Sequence, residues 1–310
     1  MNSLTFKAQI PILVGPTGVG KSEVAFRLAL ECGLEIISAD AFQVYRGMEV
    51  GTAQPAREYQ NKVPHHLVGV RKPEEAWNAV RFAEAAKQII EEGTEKGRRF
   101  LIVGGAGFYL RALVEGPPEG GAPSPKVRTM VMEKVSALGP EKAHEWLASR
   151  DAEAAKRLNP QDIRRVGRAL EKTFNDNAPV NPVHFQPLGS SNVLFWGLER
   201  SRENLDQLLR RRTEEMWHQG LLRETEFLMS LGLPPDHPVL AAIGYAEAAA
   251  FLGNALSPEE AKERIFRRTR QYAKRQWTWF KHQHSVEWFN LDLVSVDELV
   301  QKLKEKLKAL

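Results

Sequence analysis

The sequence contains a single cysteine, Cys32, among its 310 residues. One thiol cannot form an intramolecular disulfide, and there is no CxxC pair that could bind zinc. Such cysteine usage is typical of the reducing cytoplasm, so we expect a cytoplasmic protein. Any metal ion that it binds would have to be held by oxygen atoms.

Long apolar runs are also missing. No stretch approaches the roughly 18 apolar residues of a membrane-spanning helix, and the segment MNSLTFKAQIPILVG at the start has no apolar run long enough for a secretion signal. Hydrophobic residues make up 43% and charged residues 26% of the chain, which excludes a largely disordered or collagen-like protein. We therefore expect no membrane association, and at ~150 residues per domain there is room for about two domains.

Predicted strands and helices alternate in the first part of the chain, which indicates an α/β core with a parallel sheet. A composition shift follows, because GPPEGGAPSPK (116–126) contains four prolines and three glycines. We predict a core at 1–116, an inserted all-helical subdomain at 117–190 and a resumed core at 191–310. One helix of the insert is expected to begin at Asn159 with Pro160 in its first turn. The strands are predicted at 10–14, 35–38, 99–105 and, as the last one, 193–199; long helices are predicted at 201–231 and 257–284.

The sharpest chemical signal is a GxxxxGK[ST] phosphate loop between the first strand and the first helix, as its mechanism requires. It predicts a P-loop NTPase-like fold. The backbone amides of Gly18, Gly20 and Lys21 would surround a diphosphate at the positive end of the helix, and the Ser22 hydroxyl could bind Mg²⁺. The whole loop is predicted to bind diphosphate or nucleotide: Gly15, Pro16, Thr17, Gly18, Val19, Gly20, Lys21 and Ser22.

A phosphate loop does not define the reaction, so other residues must decide. The apolar run at 101–103 ends in Gly104 and Gly105 rather than in the acid that motor-type NTPases use for magnesium. The first acid after a core strand is Asp40, at the edge of the sheet where open α/β folds bind ligands. A carboxylate there could accept a proton or bind Mg²⁺, or could only cap a turn.

Basic residues are concentrated rather than numerous. The net charge of +4 permits a polyanionic partner without requiring one, but residues 262–281 contain eight basic residues against one acid. One stripe of this helix, which includes Trp277, is apolar, and another is polar and positive, including Arg268 and Arg275. Trp277 and Trp279 are expected in the core rather than as base-stacking platforms. The insert adds Arg164, Arg165 and Arg168. These residues could contact the phosphates of a nucleic acid, although each basic face could simply be solvated.

Several segments of this sequence together resemble the tRNA dimethylallyltransferase family, also called tRNA isopentenyltransferases, over nearly the whole chain. The likeness rests on the phosphate loop, on segments between residues 38 and 67, on the glycine-rich turn at the end of the third predicted strand, and on the basic helix. The matching segments are Ser38-Ala39-Asp40, Gly51-Thr52-Ala53, Val63-Pro64-His65-His66-Leu67, Val103 to Leu113, Arg168 to Glu171, Ala242 to Tyr245, and Thr269 to Phe280.

The resemblance implies transfer of a dimethylallyl group from its diphosphate to the exocyclic amine of the adenosine 3′ of the anticodon, with Mg²⁺ as cofactor. It implies that Asp40 takes the proton of the amine, that Arg212 neutralises the departing diphosphate, and that Thr17 approaches the reaction centre. The partners would be dimethylallyl diphosphate and a tRNA anticodon stem-loop, and we expect a monomer. The tRNA contacts implied near the reaction centre are Asp40, Ala41, Phe42, Gln43 and Ala106. The basic residues predicted to contact the tRNA are Arg164, Arg165, Arg168, Arg268 and Arg275.

Some features depart from the family pattern or leave alternatives open. Ala41 and Ala106 replace residues that usually carry a hydroxyl, so position 106 is expected to contribute backbone only. Gln43 could read a base edge through its amide or fix the backbone of its own loop. The chain ends without the zinc-binding extension of longer eukaryotic relatives, so a bacterial-type enzyme is expected. The alternatives are a small-molecule P-loop kinase, with ATP in the loop and Asp40 activating a hydroxyl, and a nucleic-acid-binding protein that uses nucleotide as a switch.

Overall fold

A computed structural model describes residues 9–117, 124–174, 185–234, 236–283 and 285–309. The chain divides into two compact units, the first formed by Met1–Gly116 with Pro187–Leu310 and the second by Pro117–Gln186. The insert predicted at 117–190 therefore differs from the second unit only at its carboxyl end. Much of the segment rich in proline and glycine at 116–126 lies outside the described residues.

The first unit is built on a six-stranded sheet in which every neighbouring pair is parallel. Its strand order is β3-β2-β4-β1-β5-β6, so the first strand lies in the interior between β4 and β5. All five residues of β1 are buried, as expected of a continuous apolar strand covered on both faces. The strands are β1 Ile10–Val14, β2 Leu34–Ala39, β3 His65–His66, β4 Arg99–Gly104, β5 Val193–Glu199 and β6 Val286–Asn290.

Helices surround this sheet in the first unit. The predicted helix at 201–231 is wrong as one element, because Gly220 adopts a φ of 127° and separates two helices. In the described ranges, no helix combines the length and the apolar composition that crossing a membrane would require. The helices of this unit are α1 Lys21–Cys32, α2 Arg57–Lys62, α3 Ala79–Glu95, α4 Gly107–Glu115, α8 Arg202–Gln219, α9 Leu221–Ser230, α10 Tyr245–Leu252, α11 Pro258–Gln283 and α12 Val296–Lys308.

The strand predicted as the last, 193–199, is β5, but a further strand follows it. Residues 286–290 form β6, which pairs in parallel with β5 at the edge of the sheet. This short segment includes Glu287 and Asn290 among its five residues. Its polar positions hide the strand signal, since an edge strand needs apolar residues mainly on the face that packs.

The second unit is helical, as predicted, and has its own apolar core. Its helices are α5 Pro125–Arg150, α6 Ala152–Lys156 and α7 Ile163–Thr173. Gly139, at a φ of 74°, and Pro140 interrupt α5. The expected helix start at Asn159 is wrong, because Asp162 caps α7 by accepting from the backbone N–H of Arg165 at 3.2 Å. The core contains Val131, Val135, Leu147, Val166 and Leu170.

Parallel pairing places the carboxyl ends of β1, β2 and β4 at one edge of the sheet. Val14 pairs in register with Gly104, and Ala39 pairs with the same residue from the other side. The loops that follow these three strands therefore begin side by side. This edge is where open α/β sheets bind their ligands.

Candidate active site

The phosphate loop connects β1 to α1 and is shaped by glycines. Gly15 has a φ of 146°, and a Cβ there would lie 2.5 Å from the carbonyl oxygen of Leu198. Gly18 has a φ of 80°, and its Cβ would lie 2.6 Å from the Leu209 side chain. Only glycine fits these positions without strain. Because α1 begins at Lys21, the unpaired N–H groups and the positive end of that helix face the loop.

Lys21 is held across its own loop. Its ammonium donates to the carbonyl oxygens of Gly15 at 2.9 Å and Pro16 at 2.8 Å. Desolvation lowers the pKa of Lys21 to about 7; the charge of Asp40 opposes this shift and the charge of Arg212 adds to it. Lys21 is therefore an ammonium group whose protonation an anion in the loop would strongly favour.

Arg212 is the arginine that reaches the phosphate loop. Its guanidinium donates to the Thr17 hydroxyl oxygen at 3.3 Å, although the two residues are 195 positions apart. Desolvation lowers the pKa of Arg212, while the negative charge of Asp40 opposes that change. Its neighbours in the Arg210-Arg211-Arg212 run point elsewhere, since Arg210 pairs with Glu263 at 2.9 Å and Arg211 is exposed.

Asp40 directly follows β2 and is held by an Asx turn. One oxygen of its carboxylate accepts from the backbone N–H of Phe42 at 2.9 Å and of Gln43 at 3.2 Å. The capping role considered from the sequence is therefore real, but it uses only one of the two carboxylate oxygens. The charge of Asp40 also influences the pKa values of its surroundings, because besides Lys21 and Arg212 it helps burial to raise those of Tyr109 and Tyr272. A carboxylate thus lies among two cations and two phenols.

Gln276 on α11 is a buried polar residue that the sequence did not indicate. Its amide oxygen accepts from the backbone N–H of Thr17 at 2.8 Å, and its amide nitrogen donates to the carbonyl oxygen of Gly105 at 3.0 Å. It therefore ties the phosphate loop to the turn after β4. The only signal in the sequence was a glutamine next to the apolar stripe of the basic helix, between Ala273 and Trp277.

The turn after β4 has no space for a catalytic acid. A Cβ at Gly104 would overlap the backbone of Ala39, and a Cβ at Gly105 would overlap the Gln276 amide. The sequence placed glycines where motor-type NTPases have an acid, and the packing explains why no side chain is tolerated. The acid at this edge of the sheet is instead Asp40, which directly follows β2.

The segment after Asp40 is fixed by the protein itself. Gln43 accepts from the Ser38 hydroxyl at 2.8 Å and donates to the carbonyl oxygens of Ala53 at 3.0 Å and Thr52 at 3.3 Å. The hypothesis that its amide is free to read a base edge is not supported, because these contacts engage both its oxygen and its nitrogen. Its observed role is the alternative one, which is to hold the loop.

The other residues that the resemblance implies as tRNA contacts near the reaction centre also lie close to Asp40. Phe42 contributes its N–H to the Asx turn, and Ala41 and Phe42 are both partly exposed. Ala106 donates its backbone N–H to the carbonyl oxygen of Ala39 at 3.2 Å. The expectation that position 106 contributes backbone is consistent with this bond.

Glu224 on α9 is a second residue that the sequence did not indicate. Its carboxylate accepts from the backbone N–H groups of Val50 at 2.6 Å and Gly51 at 3.0 Å, and from the Tyr245 hydroxyl at 2.8 Å. The loop that it anchors supplies the carbonyl oxygens that hold Gln43. Glu224 thus supports the segment that follows Asp40. The two are so far apart in sequence that no local pattern could indicate the contact.

The predicted basic residues differ in their availability. On α11, Arg275 is exposed, whereas Arg268 pairs with the buried Glu247 and also donates to the carbonyl oxygen of Ala241 at 3.2 Å. Arg268 therefore has a structural partner, and its contact with tRNA stays a prediction. The same contrast holds on α7 of the second unit, where Arg164 is exposed, Arg165 pairs with Asp162 at 3.4 Å, and Arg168 pairs with the buried Glu171 at 2.7 Å.

The chemistry of the oxygen donors is compatible with magnesium, although the protein supplies few of them. Within the described residues, no group of three or more His, Cys, Asp or Glu side chains could hold a metal ion. Ser22 is exposed at the start of α1, next to the loop. Mg²⁺ commonly keeps several waters and binds through one or two protein oxygens together with substrate phosphates, so one hydroxyl at this position suffices.

Comparison with known proteins agrees with this geometry. The family model described as IPP transferase matches residues 43–283, which is most of the chain. The chain belongs to the IPP transferase family. The match starts just after the phosphate loop and Asp40, so the structural placement of those residues is independent of it.

Individual relatives extend over nearly the full length. The chain is 38% identical over 282 residues to the tRNA dimethylallyltransferase of Thermomicrobium roseum, covering 90% of this chain and 85% of the relative. It is 36% identical over 305 residues to the tRNA dimethylallyltransferase of Geobacter sulfurreducens, covering 95% and 97%. The crystal structure of the tRNA isopentenylpyrophosphate transferase of Bacillus halodurans is similar with a TM-score of 0.71 and 33% identity, covering 98% of this chain and 96% of that one. The predicted fold class, a P-loop NTPase-like parallel sheet flanked by helices, is confirmed.

Proposed function

We propose that this protein transfers a dimethylallyl group from dimethylallyl diphosphate to the exocyclic amine of the adenosine 3′ of the anticodon in tRNA. The observation that carries the proposal is that Lys21 and Arg212 both bond to the phosphate loop, at the edge of the sheet where Asp40 directly follows β2. A proton acceptor and a site for an anionic leaving group therefore lie together. The names of the relatives, tRNA dimethylallyltransferases, support the same reaction.

The phosphate loop accounts for the leaving group. The carbon–oxygen bond of the allylic diphosphate breaks, and its electron pair leaves with the diphosphate, whose increasing charge needs cations. Lys21 and Arg212 supply two, and the N–H groups at the start of α1 supply further donors. A Walker-type loop thus serves a reaction that transfers carbon rather than phosphorus.

Asp40 accounts for the nucleophile. The exocyclic amine of adenine forms the new carbon–nitrogen bond and must lose one proton, because it would otherwise carry a positive charge. Since the Asx turn uses one carboxylate oxygen, the other can accept that proton. The Thr17 hydroxyl, fixed by Arg212 on its side chain and by Gln276 on its backbone, lies at the start of the loop as a positioning group.

Magnesium belongs to the proposal as a cofactor. When bound, it would neutralise charge on the diphosphate. The Ser22 hydroxyl is the protein group best placed to hold it, with the remaining positions taken by diphosphate oxygens and water. Asp40 is available for proton transfer if it is not a magnesium ligand.

The acceptor is proposed to be a tRNA anticodon stem-loop bound by basic residues. Phosphate contacts would come from exposed arginines, with Arg275 on α11 and Arg164 on α7 lacking a carboxylate partner among the described residues. The target base must leave its stack to reach Asp40, as in other enzymes that modify a base. We propose that the protein acts as a monomer on this substrate.

The experiment that tests the function uses purified protein, unmodified tRNA and dimethylallyl diphosphate labelled in the allyl group. The proposal expects label in tRNA and release of diphosphate, and digestion of the product should yield one modified adenosine. A parallel reaction with γ-labelled ATP and no allyl donor is the control for the kinase alternative. Transfer of phosphate without transfer of the allyl group would contradict the proposal.

A further inference from the structure

Phe108 is an exposed aromatic residue next to the candidate active site. It is the second residue of α4, and 63% of its surface is accessible, although Tyr109 and Leu110, which follow it directly, are buried. Its ring packs on Trp279 of α11, with 4.4 Å between ring centroids and an angle of 49° between the planes. One face of an aromatic pair is thus supported by the protein while Phe108 remains open to solvent.

Trp279 packs closely against the start of α4. Gly107 lies so close to the Trp279 indole that a Cβ there would overlap the ring. The indole N–H is buried and has no hydrogen-bond partner among the described residues. Burying an N–H without a partner is unfavourable. The close packing of α4 on Trp279 therefore offsets the free-energy cost of desolvating this N–H. The expectation that Trp279 is only a core residue does not account for the exposed ring that it supports.

The pair lies at the edge of the active site. Ala106 bonds to the carbonyl oxygen of Ala39, the residue before Asp40, and Gly105 bonds to Gln276, which holds Thr17. Two residues of chain span at most about 7 Å, so the Phe108 backbone lies within that distance of the Ala106 backbone. A nucleotide beside the one that enters the site would therefore pass close to this ring.

Positive charge on α11 indicates which kind of ligand contacts this aromatic pair. Arg275 lies one turn before Trp279 on α11 and is exposed, and Lys274 and Lys281 are exposed nearby. In the described part of the chain, neither Arg275 nor Lys274 forms an ion pair with a carboxylate. Aromatic rings beside unpaired cations are the combination that binds single-stranded nucleic acid, because bases stack on the rings while the cations contact phosphates.

We propose that Phe108, supported by Trp279, is a stacking platform for an unpaired base of the anticodon loop that neighbours the modified adenosine. The proposal rests on the proposed function and extends it from the reacting base to an adjacent one. Stacking discriminates little between bases, so the platform recognises an unpaired loop rather than a sequence. It would stabilise the loop with the target base unstacked.

The test compares Phe108→Ala, Phe108→Leu and Phe108→Tyr with the wild-type protein. The probes are an unmodified anticodon stem-loop RNA and a fully paired RNA duplex, and their dissociation constants are measured by fluorescence anisotropy at one salt concentration. Leu30→Ala is the matched control, since Leu30 is an exposed apolar residue, 52% accessible, on α1. Thermal unfolding of every variant verifies that the fold is retained.

Phe108→Ala should weaken stem-loop binding by about 5- to 100-fold, the effect of removing the partner of one stacked base. Phe108→Tyr should bind the stem-loop like the wild type, whereas Phe108→Leu should bind it little better than Phe108→Ala. The affinity for the duplex should not change in any variant. Removing single bases from the loop should locate the stacked one, because its removal should cause no further loss of affinity in Phe108→Ala.

Equal stem-loop binding by Phe108→Ala and the wild type, or an equal loss of affinity for the duplex, would overturn the platform. Failure of the wild-type protein to bind the stem-loop or transfer the allyl group would instead overturn the proposed function, and the platform with it.

Discussion

Gln276 accepts a hydrogen bond from the backbone N–H of Thr17 at 2.8 Å across 259 positions of sequence. Through its other end it donates to Gly105, so one buried amide determines how α11, the phosphate loop and the turn after β4 fit together. Because both partners are backbone groups, their identities assign the amide orientation without ambiguity. The geometry of the phosphate loop therefore depends on a residue of the basic helix.

Replacing Gln276 by leucine should weaken donor binding and lower stability. The leucine leaves a buried N–H and a buried carbonyl without partners, which costs about 1–3 kcal/mol of unfolding free energy for each such group. The KM for dimethylallyl diphosphate should rise more than the KM for tRNA. Denaturant unfolding and steady-state kinetics measure both effects, with the exposed Gln88→Leu on α3 as the control. An unchanged KM for dimethylallyl diphosphate in a folded Gln276→Leu protein would show that the amide does not position the phosphate loop for donor binding.

Arg212→Ala should reduce allyl transfer strongly while leaving tRNA affinity nearly unchanged. Removing one charged donor to a developing anion typically costs about 10²–10³ in turnover. The matched control is Arg211→Ala, which removes the same charge from an exposed neighbour on α8. Single-turnover rates and tRNA binding should be measured for both. Equal rate losses in the two variants would refute the assignment of Arg212 to the diphosphate.

Binding of diphosphate should be linked to protonation of Lys21. Its pKa is lowered to about 7 in the free protein, and a bound anion would raise it again. Above pH 7, Lys21 is largely neutral before binding and becomes charged on binding, so one proton is taken up and affinity falls as pH increases. Titration calorimetry with inorganic diphosphate at pH 8, in two buffers of different ionisation enthalpy, counts the protons. Lys21→Met should take up about one proton fewer than the wild type; equal uptake by the two proteins would rule out Lys21 as the group that titrates.

The arginines of α7 should determine part of the salt dependence of tRNA binding. Each phosphate contact changes the slope of log affinity against log salt by about −0.7 to −0.9. Arg164→Gln combined with Arg165→Gln should flatten the slope by one to two contacts without loss of stability. Arg168→Gln should instead lower stability, because it leaves the buried Glu171 without its partner. An unchanged slope in the double variant would show that these arginines of the second unit do not contact tRNA phosphates.

The sequence predicted those parts of the structure that local patterns encode. The phosphate loop is a contiguous motif between a buried strand and a helix, and the strands β1, β4 and β5 are continuous apolar runs. Asp40 was identifiable because it directly follows a core strand. Arg212, in contrast, was chosen only through the family resemblance, since three successive arginines on a helix point in three directions.

The rest could not be predicted because it depends on tertiary contacts. Gln276 and Glu224 each bind backbone groups more than 150 positions away, and no periodicity marks such residues. β6 is a short edge strand with polar residues, and the break at Gly220 resembles an ordinary glycine within a helical pattern. The start of α3 at Ala79 is set by a side-chain cap, with Asn78 accepting from the N–H of Val80 at 3.0 Å.

The most direct test of the account is the single-turnover rate of Asp40→Asn with donor and tRNA saturating, measured across a magnesium titration. Asparagine keeps the size of the side chain and can accept the two hydrogen bonds of the Asx turn, but it cannot take the proton of the amine. The rate should fall by about 10² to 10⁴, the contribution of a positioned general base, and should stay low at every magnesium concentration while donor and tRNA affinities change little. Recovery toward the wild-type rate at high magnesium, or a rate that never fell, would contradict the assignment of Asp40 as the base.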